Sequence, residues 1–509
     1  MEKRYLFFWV LLALAVEAAA QRHDRHWVLG YAEFPGLAGH GQARIVFDDT
    51  ARAEAQPLAF NVESTMAAMS SAAGELLFYT NGCAVADRQH QVMPNGAGLN
   101  PGPLHDQVCA RKGYIVPQGA VALPDPGDTN RYYLLHLGAA YEPVRKLRLG
   151  PLYATVVDMR LRGGLGDVVE KNRVLVSGDL GHFAVVRHGN GRDWWVLVPQ
   201  YGNAVWHVLL LTPRGIEAAV PQGVGVLRSP CEKHLGMAVS LQGDRIANWG
   251  DCKVSVWSFD RCSGWLGAPL ELSVPGGHWA PGGGVVFSPS GRYLYATSQV
   301  VLWRADLASA DKPAFDTIRA AYNPWGPALY EVPGATFGYL AYGPDGVVYG
   351  AQPSRAQHLQ VLRALERRPF MQVDVRLRGL ALPVWSVRTL PYSVNYRLYD
   401  LAGSLCDTLG IDGPLSAPEA LAGGGGVGLR VWPNPLAGEQ LWVQVSEAEG
   451  GGASVLMLSD AAGRLLLSQP VEQGQGTLAL PVGHLPAGLY LLTYRAPSGA
   501  VAVQKVVVP

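Results

Sequence analysis

Residues 282–306 read GGGVVFSPSGRYLYATSQVVLWRAD, and this stretch decides the fold of most of the chain. Three short segments rich in β-branched or aromatic residues, 285–287, 293–296 and 300–303, are separated by turn residues. Such segments favour strands, whereas the Ser-Pro-Ser-Gly sequence at 288–291 favours a chain reversal. The stretch therefore predicts a meander of antiparallel strands.

The same pattern recurs on both sides of this stretch. Strand-like segments that follow turn residues occupy residues 74–79, 131–135, 193–198, 244–249 and 345–349. Their starts lie roughly 45 to 60 residues apart, a spacing typical of β-propeller blades and longer than that of helical repeats. Because the strands are apolar on both faces, each sheet must pack between two others, as blades do. Residues 21–412 are therefore predicted to form an all-β propeller.

The number of blades follows from these repeats. Six are evident, and strand-like segments at 27–31 and 43–47 precede the first of them. We expect an N-terminal strand to pair with the last blade, where residues 392–399 have an alternating strand pattern. The predicted propeller therefore has about seven blades, one of them composite, with six or eight left open.

Composition and motifs exclude some functions. Of the 509 residues, 41 are Lys or Arg and 41 are Asp or Glu, so the formal net charge is zero. Nucleic-acid-binding domains carry a basic face, so a nucleic acid is not an expected partner. The sequence patterns of metalloproteases, serine hydrolases, nucleotide-binding loops and EF-hands are absent. We therefore expect no bound cofactor.

Residues 1–20 have the features of a secretory signal peptide. Lys3 and Arg4 precede an apolar run at 5–16, and small residues at 18–20 suit cleavage after Ala20. The alternative is a retained membrane anchor, but the run is shorter than the roughly 20 residues that span a bilayer. We therefore expect a secreted or outer-surface protein that passes through the periplasm and has no transmembrane segment after cleavage.

Six cysteines in an exported chain, none of them in a CxxC pair, favour disulfides over a metal site. If residues 253–260 form one extended strand, Cys252 and Cys262 lie about 30 Å apart and cannot pair. Two other pairs flank predicted reversals, a turn-rich segment at 94–98 and a hairpin near Gly243. The predicted disulfides are Cys83 with Cys109, Cys231 with Cys252 and, as the remainder, Cys262 with Cys406.

An ordered series of motifs runs through residues 25–400. They are FYTNG (78–82), NPGP (100–103), PQGA (117–120), LPDPG (123–127), GGLGDV (163–168) and SPSGRYLY (288–295). In this order they resemble a family of secreted bacterial β-propeller proteins of poorly defined function. The last motif is common to WD-like propellers in general, so the resemblance depends on the whole series.

The composition of the sequence changes after the propeller. Residues 413–428 are rich in Gly and Pro and are predicted to be a flexible linker. A nucleotide-binding loop is the alternative for the glycines at 423–426, but neither a βαβ context nor a following Lys supports it. Residues 429–509 contain six or seven short strand-like segments, which predict a small β-sandwich.

Motifs in this tail identify it further. They are Pro433, Asn434 and Pro435 at its start, Gly463 in the middle turn, Gly488 and Tyr490 in a late strand, and Lys505 in the terminal strand. This combination resembles the type A C-terminal sorting domain of the bacterial type IX secretion system. The resemblance implies the type IX machinery as a partner, export across the outer membrane, and removal of the tail with release or anchoring of the propeller. A plain adhesive sandwich is the alternative.

Two polar groups are candidate sites. His105 and Asp106 lie beside Cys109 and have the side chains of an acid–base pair, although a polar loop between disulfide-linked strands is the favoured interpretation. Asp125 and Asp128 supply oxygen ligands of the kind that Ca²⁺ takes, yet they equally fit a turn in which Asp bonds its own backbone. We expect the turn, and no metal.

Aromatic residues are numerous between residues 194 and 325, and most are expected to pack between blades, because neighbouring residues of a strand face opposite sides. Trp279 and Trp325 lie in Gly/Pro-flanked segments and are the better candidates for a ligand-binding surface.

These observations favour a secreted or cell-surface binding protein whose propeller recognises an extracellular protein or glycan. A secreted glycosidase or peptidase is the first alternative, because a fold does not define a function. Two carboxylates about 5 to 10 Å apart at the central channel would favour a glycosidase. A structural surface component is the second alternative.

Overall fold

The structure is a computed structural model. It describes, for the first part of the chain, residues 21–31, 39–142, 146–224, 236–250, 253–275, 283–298, 301–309, 313–320, 337–352, 356–366, 373–386 and 390–409. For the last part it describes residues 428–432, 434, 436, 438–446, 454–460, 465–471, 477–486, 488–495 and 501–508. The chain divides into two compact units, residues 1–413 and 414–509.

The described part of the first unit forms seven antiparallel sheets, and the strands of each sheet follow one another in the chain. Blade 1 contains β1 (His26–Tyr31), β2 (Gly41–Phe47) and β3 (Ala51–Ala55). Blade 2 contains β4 (Ala67–Ser70), β5 (Leu76–Thr80), β6 (Ala84–Asp87) and β7 (Val92–Ala97). A short helix, α1 (Pro103–Val108), leads to blade 3, which contains β8 (Ala120–Asp125), β9 (Asp128–Glu142), β10 (Lys146–Asp158) and β11 (Asp167–Val176).

The remaining blades repeat the meander. Blade 4 contains β12 (Ala184–Arg187), β13 (Trp194–Pro199), β14 (Trp206–Thr212), β15 (Gly215–Ile216) and β16 (Val220–Gln222). Blade 5 contains β17 (Gly236–Val239), β18 (Arg245–Trp249), β19 (Lys253–Ser258) and β20 (Leu270–Ser273). Blade 6 contains β21 (Val285–Phe287), β22 (Tyr293–Thr297), β23 (Val301–Asp306) and β24 (Phe315–Ala320). Blade 7 contains β25 (Leu340–Tyr342), β26 (Val348–Gly350), β27 (Ala356–Arg363) and β28 (Asp374–Ser386).

The predicted fold class is confirmed: the first unit is a β-propeller. The quoted stretch forms β21, β22 and β23 of blade 6, with Val286 opposite Tyr295. Its reversal is closed by the Gly291 N–H, which donates to the Ser288 carbonyl at 2.8 Å. Gly291 has φ +72°, a conformation that residues with a side chain seldom adopt, so glycine suits this turn.

The predicted composite blade is wrong. The N-terminal strand β1 pairs with β2 inside blade 1, and residues 392–399 form no strand. The alternating pattern of these residues is real, because Tyr392, Val394 and Tyr396 are all buried. Their burial comes from the propeller axis and not from a neighbouring strand, as described below.

The segment between Cys83 and Cys109 also differs from prediction. The turn-rich residues 94–98 lie largely within strand β7, which pairs with β6 through an irregular register, Ala84 opposite Ala97 and Ala86 opposite Val92. Such an irregularity accommodates the Pro and Gly of an outer strand. The polar loop predicted around His105 is the helix α1, which begins at a Pro suited to a first helical turn.

Large aromatic side chains fill the space between blades. Trp194, Trp206, Trp249 and Trp257 are each less than 2% exposed. Trp206 of blade 4 meets Trp257 of blade 5 edge-on, with ring centroids 5.0 Å apart, an arrangement favoured for aromatic pairs. These rings are therefore core residues, and they fix neighbouring blades against each other.

The second unit consists of two sheets. One has the order β29 (Gly428–Trp432), β30 (Gln440–Ser446) and β33 (Thr477–Pro481). The other has the order β32 (Leu465–Val471), β31 (Ser454–Asp460), β34 (Gly488–Arg495) and β35 (Val501–Val508). Side chains of both sheets, among them Leu441 and Leu492, share one buried cluster, so the sheets form a small β-sandwich.

Several predicted features lie outside the described residues, among them the signal peptide at 1–20, the linker at 413–428 except Gly428, and the cysteines Cys231 and Cys252. Within the ranges that the structure describes, no helix has the length and apolar character needed to cross a bilayer.

A candidate binding site on the propeller axis

The chain returns to the centre of the propeller after its last blade. We name residues 390–400 the axial segment. Its side chains hydrogen-bond to the first strands of blades 3, 4 and 7. In blade 5 the bonded residue is Leu241, which lies two positions after the first strand. The bonds are Tyr396 Oη to the Ala122 carbonyl (2.7 Å), the Val185 N–H to Tyr392 Oη (3.1 Å), Ser393 Oγ to the Tyr342 carbonyl (3.2 Å) and Asn395 Nδ2 to the Leu241 carbonyl (2.8 Å).

Contacts with four blades place this segment on the axis, where the first strands converge. The residues just before β1 join it there. Arg397 forms a two-pronged ion pair with Asp24, both N–O distances being 2.8 Å. His23 packs its ring against Tyr396, with centroids 5.5 Å apart, and its Nδ1 lies 2.7 Å from the Ser70 carbonyl of blade 2. The start and the end of the propeller chain therefore meet at its centre.

A cavity of about 280 Å³ opens beside the axial segment. We name it the central pocket. Its walls come from blades 4, 5 and 7, the axial segment and the residue Asp24. The lining residues are Asp24, Val185, Val186, Arg187, Val239, Ser240, Leu241, Tyr342, Gly343, Pro344, Gly346, Ser393, Val394, Asn395, Arg397 and Leu398. The pocket thus combines an apolar wall with a few polar groups, the composition typical of ligand sites.

Arg397 and Asp24 place a fixed charge pair in this wall. Burial acts to lower the pKa of Arg397, but the bond to Asp24 and its negative charge outweigh burial, and the pKa of Arg397 is raised. Among the lining residues, Asp24 is the one carboxylate, and its two oxygens are both taken by Arg397. The described lining therefore lacks the carboxylate pair that a glycosidase uses.

Arg187, at the end of β12, is the second cation of the lining and is 5% exposed. Its Nη1 donates to the Arg192 carbonyl at 2.9 Å, and its Nη2 donates to Gln21 Oε1 at 2.8 Å and to the Tyr396 carbonyl at 3.2 Å. The guanidinium lies 3.7 Å from the centroid of the Trp194 ring. Every one of these partners is uncharged. Burial lowers the pKa of Arg187 to about 9.

A smaller cavity of about 180 Å³ lies next to the central pocket and shares the lining residues Arg397 and Pro344 with it. Its other lining residues are Arg22, Arg25, Phe47 and Asp48. Arg25 forms an ion pair with Asp48. This end of the axis therefore carries four arginines and two aspartates.

The sequence did not indicate this site. Arg187, Arg397 and Asp24 lie far apart in the chain and match no motif. One signal was present: Ser393, Asn395 and Arg397 alternate with the buried Tyr392, Val394 and Tyr396. These three polar residues line the pocket together with Val394 and Leu398.

The candidate acid–base pair lies elsewhere, at the rim of blade 2. His105 Nδ1 lies 2.7 Å from the Leu99 carbonyl and 3.2 Å from Cys109 Sγ, while Asp106 is exposed on the neighbouring position of α1. Cys83, His105 and Cys109 form a compact group, but the two sulfurs are joined in a disulfide. The arrangement positions the helix against the blade.

The carboxylates considered for Ca²⁺ bond to the backbone. Asp125 Oδ1 accepts from the Gly127 N–H at 2.8 Å, and Asp128 Oδ1 accepts from the Asn130 N–H at 3.0 Å. Asp128 Oδ2 also lies 3.0 Å from Arg160. These contacts are those of a turn in which Asp caps its own backbone, the favoured interpretation.

Two disulfides are present in the described residues. Cys83 bonds Cys109 across 26 positions, and Cys262 bonds Cys406 across 144 positions. The Cys262–Cys406 disulfide links the loop after β19 to the chain just beyond the axial segment, and so attaches the end of that segment to blade 5. Both are pairs that the sequence analysis proposed.

The aromatic surface candidates Trp279 and Trp325 lie outside the described residues. In the described part of the first unit, Trp265 is exposed instead, at 59%, in the loop after β19. In the second unit, Trp432 and Trp442 are each 42% exposed. Trp265 lies in the range 194–325, where most aromatic residues are expected to pack between blades. The strand boundaries are needed to distinguish a loop tryptophan from a strand tryptophan.

In the tail, Asn434 ties the opening motif to the last strand: its Oδ1 accepts from the Val507 N–H of β35 at 2.9 Å. Tyr490 is buried in β34, and its Oη donates to the Pro486 carbonyl at 2.7 Å. Gly488 begins the same strand, and Lys505 lies within β35. Pro433, Pro435 and Gly463 lie outside the described residues.

Residues 430–509 match the family described as a secretion system C-terminal sorting domain. The match covers all but the first 16 residues of the second unit and confirms that the tail is a sorting domain. The protein therefore carries a type IX sorting domain, which directs export to the cell surface or the medium.

Similar solved structures share little sequence with this chain. A candidate 6-phosphogluconolactonase from Bacteroides uniformis is 13% identical over 71% of this chain and 97% of its own, with a TM-score of 0.40. A functionally unknown protein from Desulfotomaculum acetoxidans is 9% identical over 74% and 98%, with a TM-score of 0.39. The β-propeller domain of Cps50 (Swd1) from Myceliophteria thermophila is 11% identical over 65% and 93%, with a TM-score of 0.35. No curated protein matches the chain.

Proposed function

We propose that this protein is an exported binding protein whose propeller recognises an extracellular glycan or protein through the central pocket. The observation that carries the proposal is the pocket itself, a cavity of about 280 Å³ with walls from three blades and the axial segment. Hydrogen bonds, an ion pair and the Cys262–Cys406 disulfide hold those walls in place. A preformed wall reduces the ordering cost of binding.

Recognition is better supported than hydrolysis. The single carboxylate of the lining, Asp24, is bound at both oxygens by Arg397, so it is not available as a general acid or base. A glycosidase needs two such groups on opposite sides of the scissile bond. The pocket groups are instead hydrogen-bonding and apolar, which suits binding without turnover.

The test is a glycan-array and hydrolysis screen on the full chain, with and without EDTA, beside a variant that fills the pocket. Val239→Trp places an indole in the lining, and Val220→Trp, at a site 57% exposed on blade 4, is the matched control. We expect binding without released product, at least tenfold weaker for Val239→Trp and unchanged for Val220→Trp. Both variants should keep the near-UV circular dichroism of the wild type.

Three results would contradict the proposal. Released product would favour the hydrolase. Binding that Val239→Trp leaves unchanged would move recognition away from the central pocket. No binding to glycans or to proteins, together with concentration-dependent self-association, would favour the structural surface component.

A further inference from the structure

We propose that the central pocket binds a ligand through a carboxylate group, with Arg187 and Arg397 supplying the positive charge. This inference rests on the proposed function and adds the chemical class of the group that is recognised.

The charged residues that line the site are mostly positive. The two neighbouring cavities are lined by Arg22, Arg25, Arg187 and Arg397, against Asp24 and Asp48, so the charged lining residues sum to +2. The whole chain, by contrast, has equal numbers of acidic and basic residues. The excess is therefore local, and a site with low-dielectric walls concentrates its attraction on an anion.

Arg187 is a buried cation that none of the described carboxylates bonds directly. Its described partners are two carbonyls, one amide oxygen and an indole face, all without net charge. Its Nε has no hydrogen-bond partner among the described residues. The nearby carboxylate Asp193 acts on this guanidinium only at longer range, because it is paired with Arg192. A guanidinium that is 5% exposed is costly when no anion bonds it directly. A ligand anion in the adjoining pocket supplies that compensation.

The pocket already holds a carboxylate of its own, that of Asp24. Asp24 meets Arg397 with both oxygens at 2.8 Å, the parallel geometry that guanidinium and carboxylate groups adopt. The carboxylate of a ligand has the same planar shape as that of Asp24 and fits the same two N–H donors of Arg397. The pocket is also large enough for a single sugar or amino-acid unit. Asp24 thus acts as an internal competitor for Arg397.

Other charged groups near the pocket are occupied. Asp48 pairs with Arg25. Asp345, between the lining residues Pro344 and Gly346, accepts from the Tyr349 hydroxyl at 2.7 Å and from the Val347 N–H at 3.2 Å. Burial lowers the pKa of both His23 and His26, so neither adds a charge near neutral pH. Asp244 accepts from Ser240 Oγ at 2.7 Å, and Asp193 is paired with Arg192. Among the lining residues themselves, arginines outnumber carboxylates.

The experiment measures binding of small probes to the full chain by calorimetry at low salt. The probes are matched pairs that differ in the acid: D-galacturonate against D-galactose, and L-glutamate against L-glutamine. The two pairs separate a glycan source from a peptide source of the carboxylate. We expect at least one acid to bind tenfold or more tightly than its neutral counterpart, and the preference to shrink as salt rises.

Variants test the assigned residues. Asp24→Asn removes the internal competitor and should tighten binding of the acid at least threefold, a gain that a misfolded variant would not produce. Asp306→Asn is the matched control, since Asp306 pairs with Arg292 in blade 6 at 2.8 Å, and it should change nothing. Arg187→Met should weaken binding of the acid at least tenfold. If Arg187→Met does not fold, the Asp24→Asn result decides.

Equal binding of acids and neutral probes, or no tightening with Asp24→Asn, overturns the inference. If neutral glycans still bind and Val239→Trp blocks them, the proposed function stands and the carboxylate assignment alone is wrong. If neither acids nor neutral ligands respond to Val239→Trp, both are wrong.

Discussion

Asp24 and Arg397 are 373 positions apart in the chain and form one two-pronged ion pair at the centre of the propeller. The Asp24 side chain is 17% exposed and that of Arg397 30%, so the pair is partly shielded from solvent. It links the segment before the first strand to the segment after the last blade. Blade 1 packs directly against blade 7, where the rings of Trp27 and Phe47 meet that of Tyr349. The axial ion pair adds a second link between the two ends of the chain, and none of the described strands is shared between the two blades.

We predict that this pair contributes measurably to stability. In a double-mutant cycle with Asp24→Ala and Arg397→Ala, urea unfolding should give a coupling free energy of about 1 to 2 kcal/mol, because charge-assisted bonds are stronger when partly desolvated. The same cycle on the more exposed pair Arg214–Glu217 should give about 0.5 kcal/mol or less. Strict additivity at Asp24 and Arg397 would contradict this prediction.

The two described disulfides should differ in their effect. Cys262–Cys406 spans 144 positions and Cys83–Cys109 spans 26, and a longer loop restricts the unfolded chain more. Replacing Cys262 and Cys406 by Ser should therefore lower the free energy of unfolding by about 1.5 kcal/mol more than replacing Cys83 and Cys109. Denaturant unfolding of the two double variants makes the comparison, and equal losses would argue against loop length as the cause.

The third pairing, Cys231 with Cys252, stays a prediction from the sequence. Replacing Cys231 by Ser should leave Cys252 open to alkylation in the unreduced protein. Mass spectrometry of the alkylated peptide measures this. A Cys252 that stays unreactive after the change would show that it has another partner.

His136 predicts a loss of stability in acid. It is fully buried between Asn100 Oδ1, 2.7 Å from its Nδ1, and Thr155 Oγ1, 2.9 Å from its Nε2, and burial lowers its pKa to about 3. An unfolded histidine has a pKa of about 6.5, so below that pH the unfolded chain binds the extra proton. Stability should therefore fall as pH drops from about 6.5 towards 3.

The contribution of His136 is isolated by comparing the wild type with His136→Gln between pH 7 and pH 5.5, where carboxylates change little. The difference between their free energies of unfolding should shrink as pH falls. The slope approaches about 1.4 kcal/mol per pH unit where His136 is protonated in the unfolded chain but still neutral in the folded protein. Parallel curves would contradict the assignment.

Removing residues 429–509 should leave a folded propeller in the periplasm. A finer test uses Asn434, whose Oδ1 accepts from the Val507 N–H. Asn434→Ala leaves that N–H without this acceptor and should lower the fraction of protein outside the cell, whereas Asn434→Asp keeps an acceptor oxygen and should lower it less. Immunoblots of periplasm and medium measure the fractions. Undiminished export of the truncated chain would defeat the sorting assignment.

The strands were predictable because they depend on local pattern. Residues 285–287 and 293–296 alternate apolar and aromatic groups between turn residues, and they form β21 and most of β22. The tail was predictable for the same reason, with Asn434 and Tyr490 as added markers. Burial and turn chemistry act over a few residues, so a sequence displays them directly.

The site was not predictable, because its residues meet only through the closed circle of blades. The alternation from Tyr392 to Tyr396 is typical of a strand, and nothing in those residues shows that their partners are carbonyls and side chains on the axis. In the sequence, Arg187 is only the charged residue at the end of a short apolar segment, and nothing indicates that it is buried. Its burial depends on Trp194 and on Gln21, which lies 166 positions away.

The position of Asp24 also constrains how the protein reaches the cell exterior. For a chain that crosses a membrane with its N-terminus leading, Asp24 arrives early and its partner Arg397 arrives after all seven blades. Contacts between such distant residues form late and slow folding. The ion pair on the axis can therefore form only after all seven blades have emerged from the membrane.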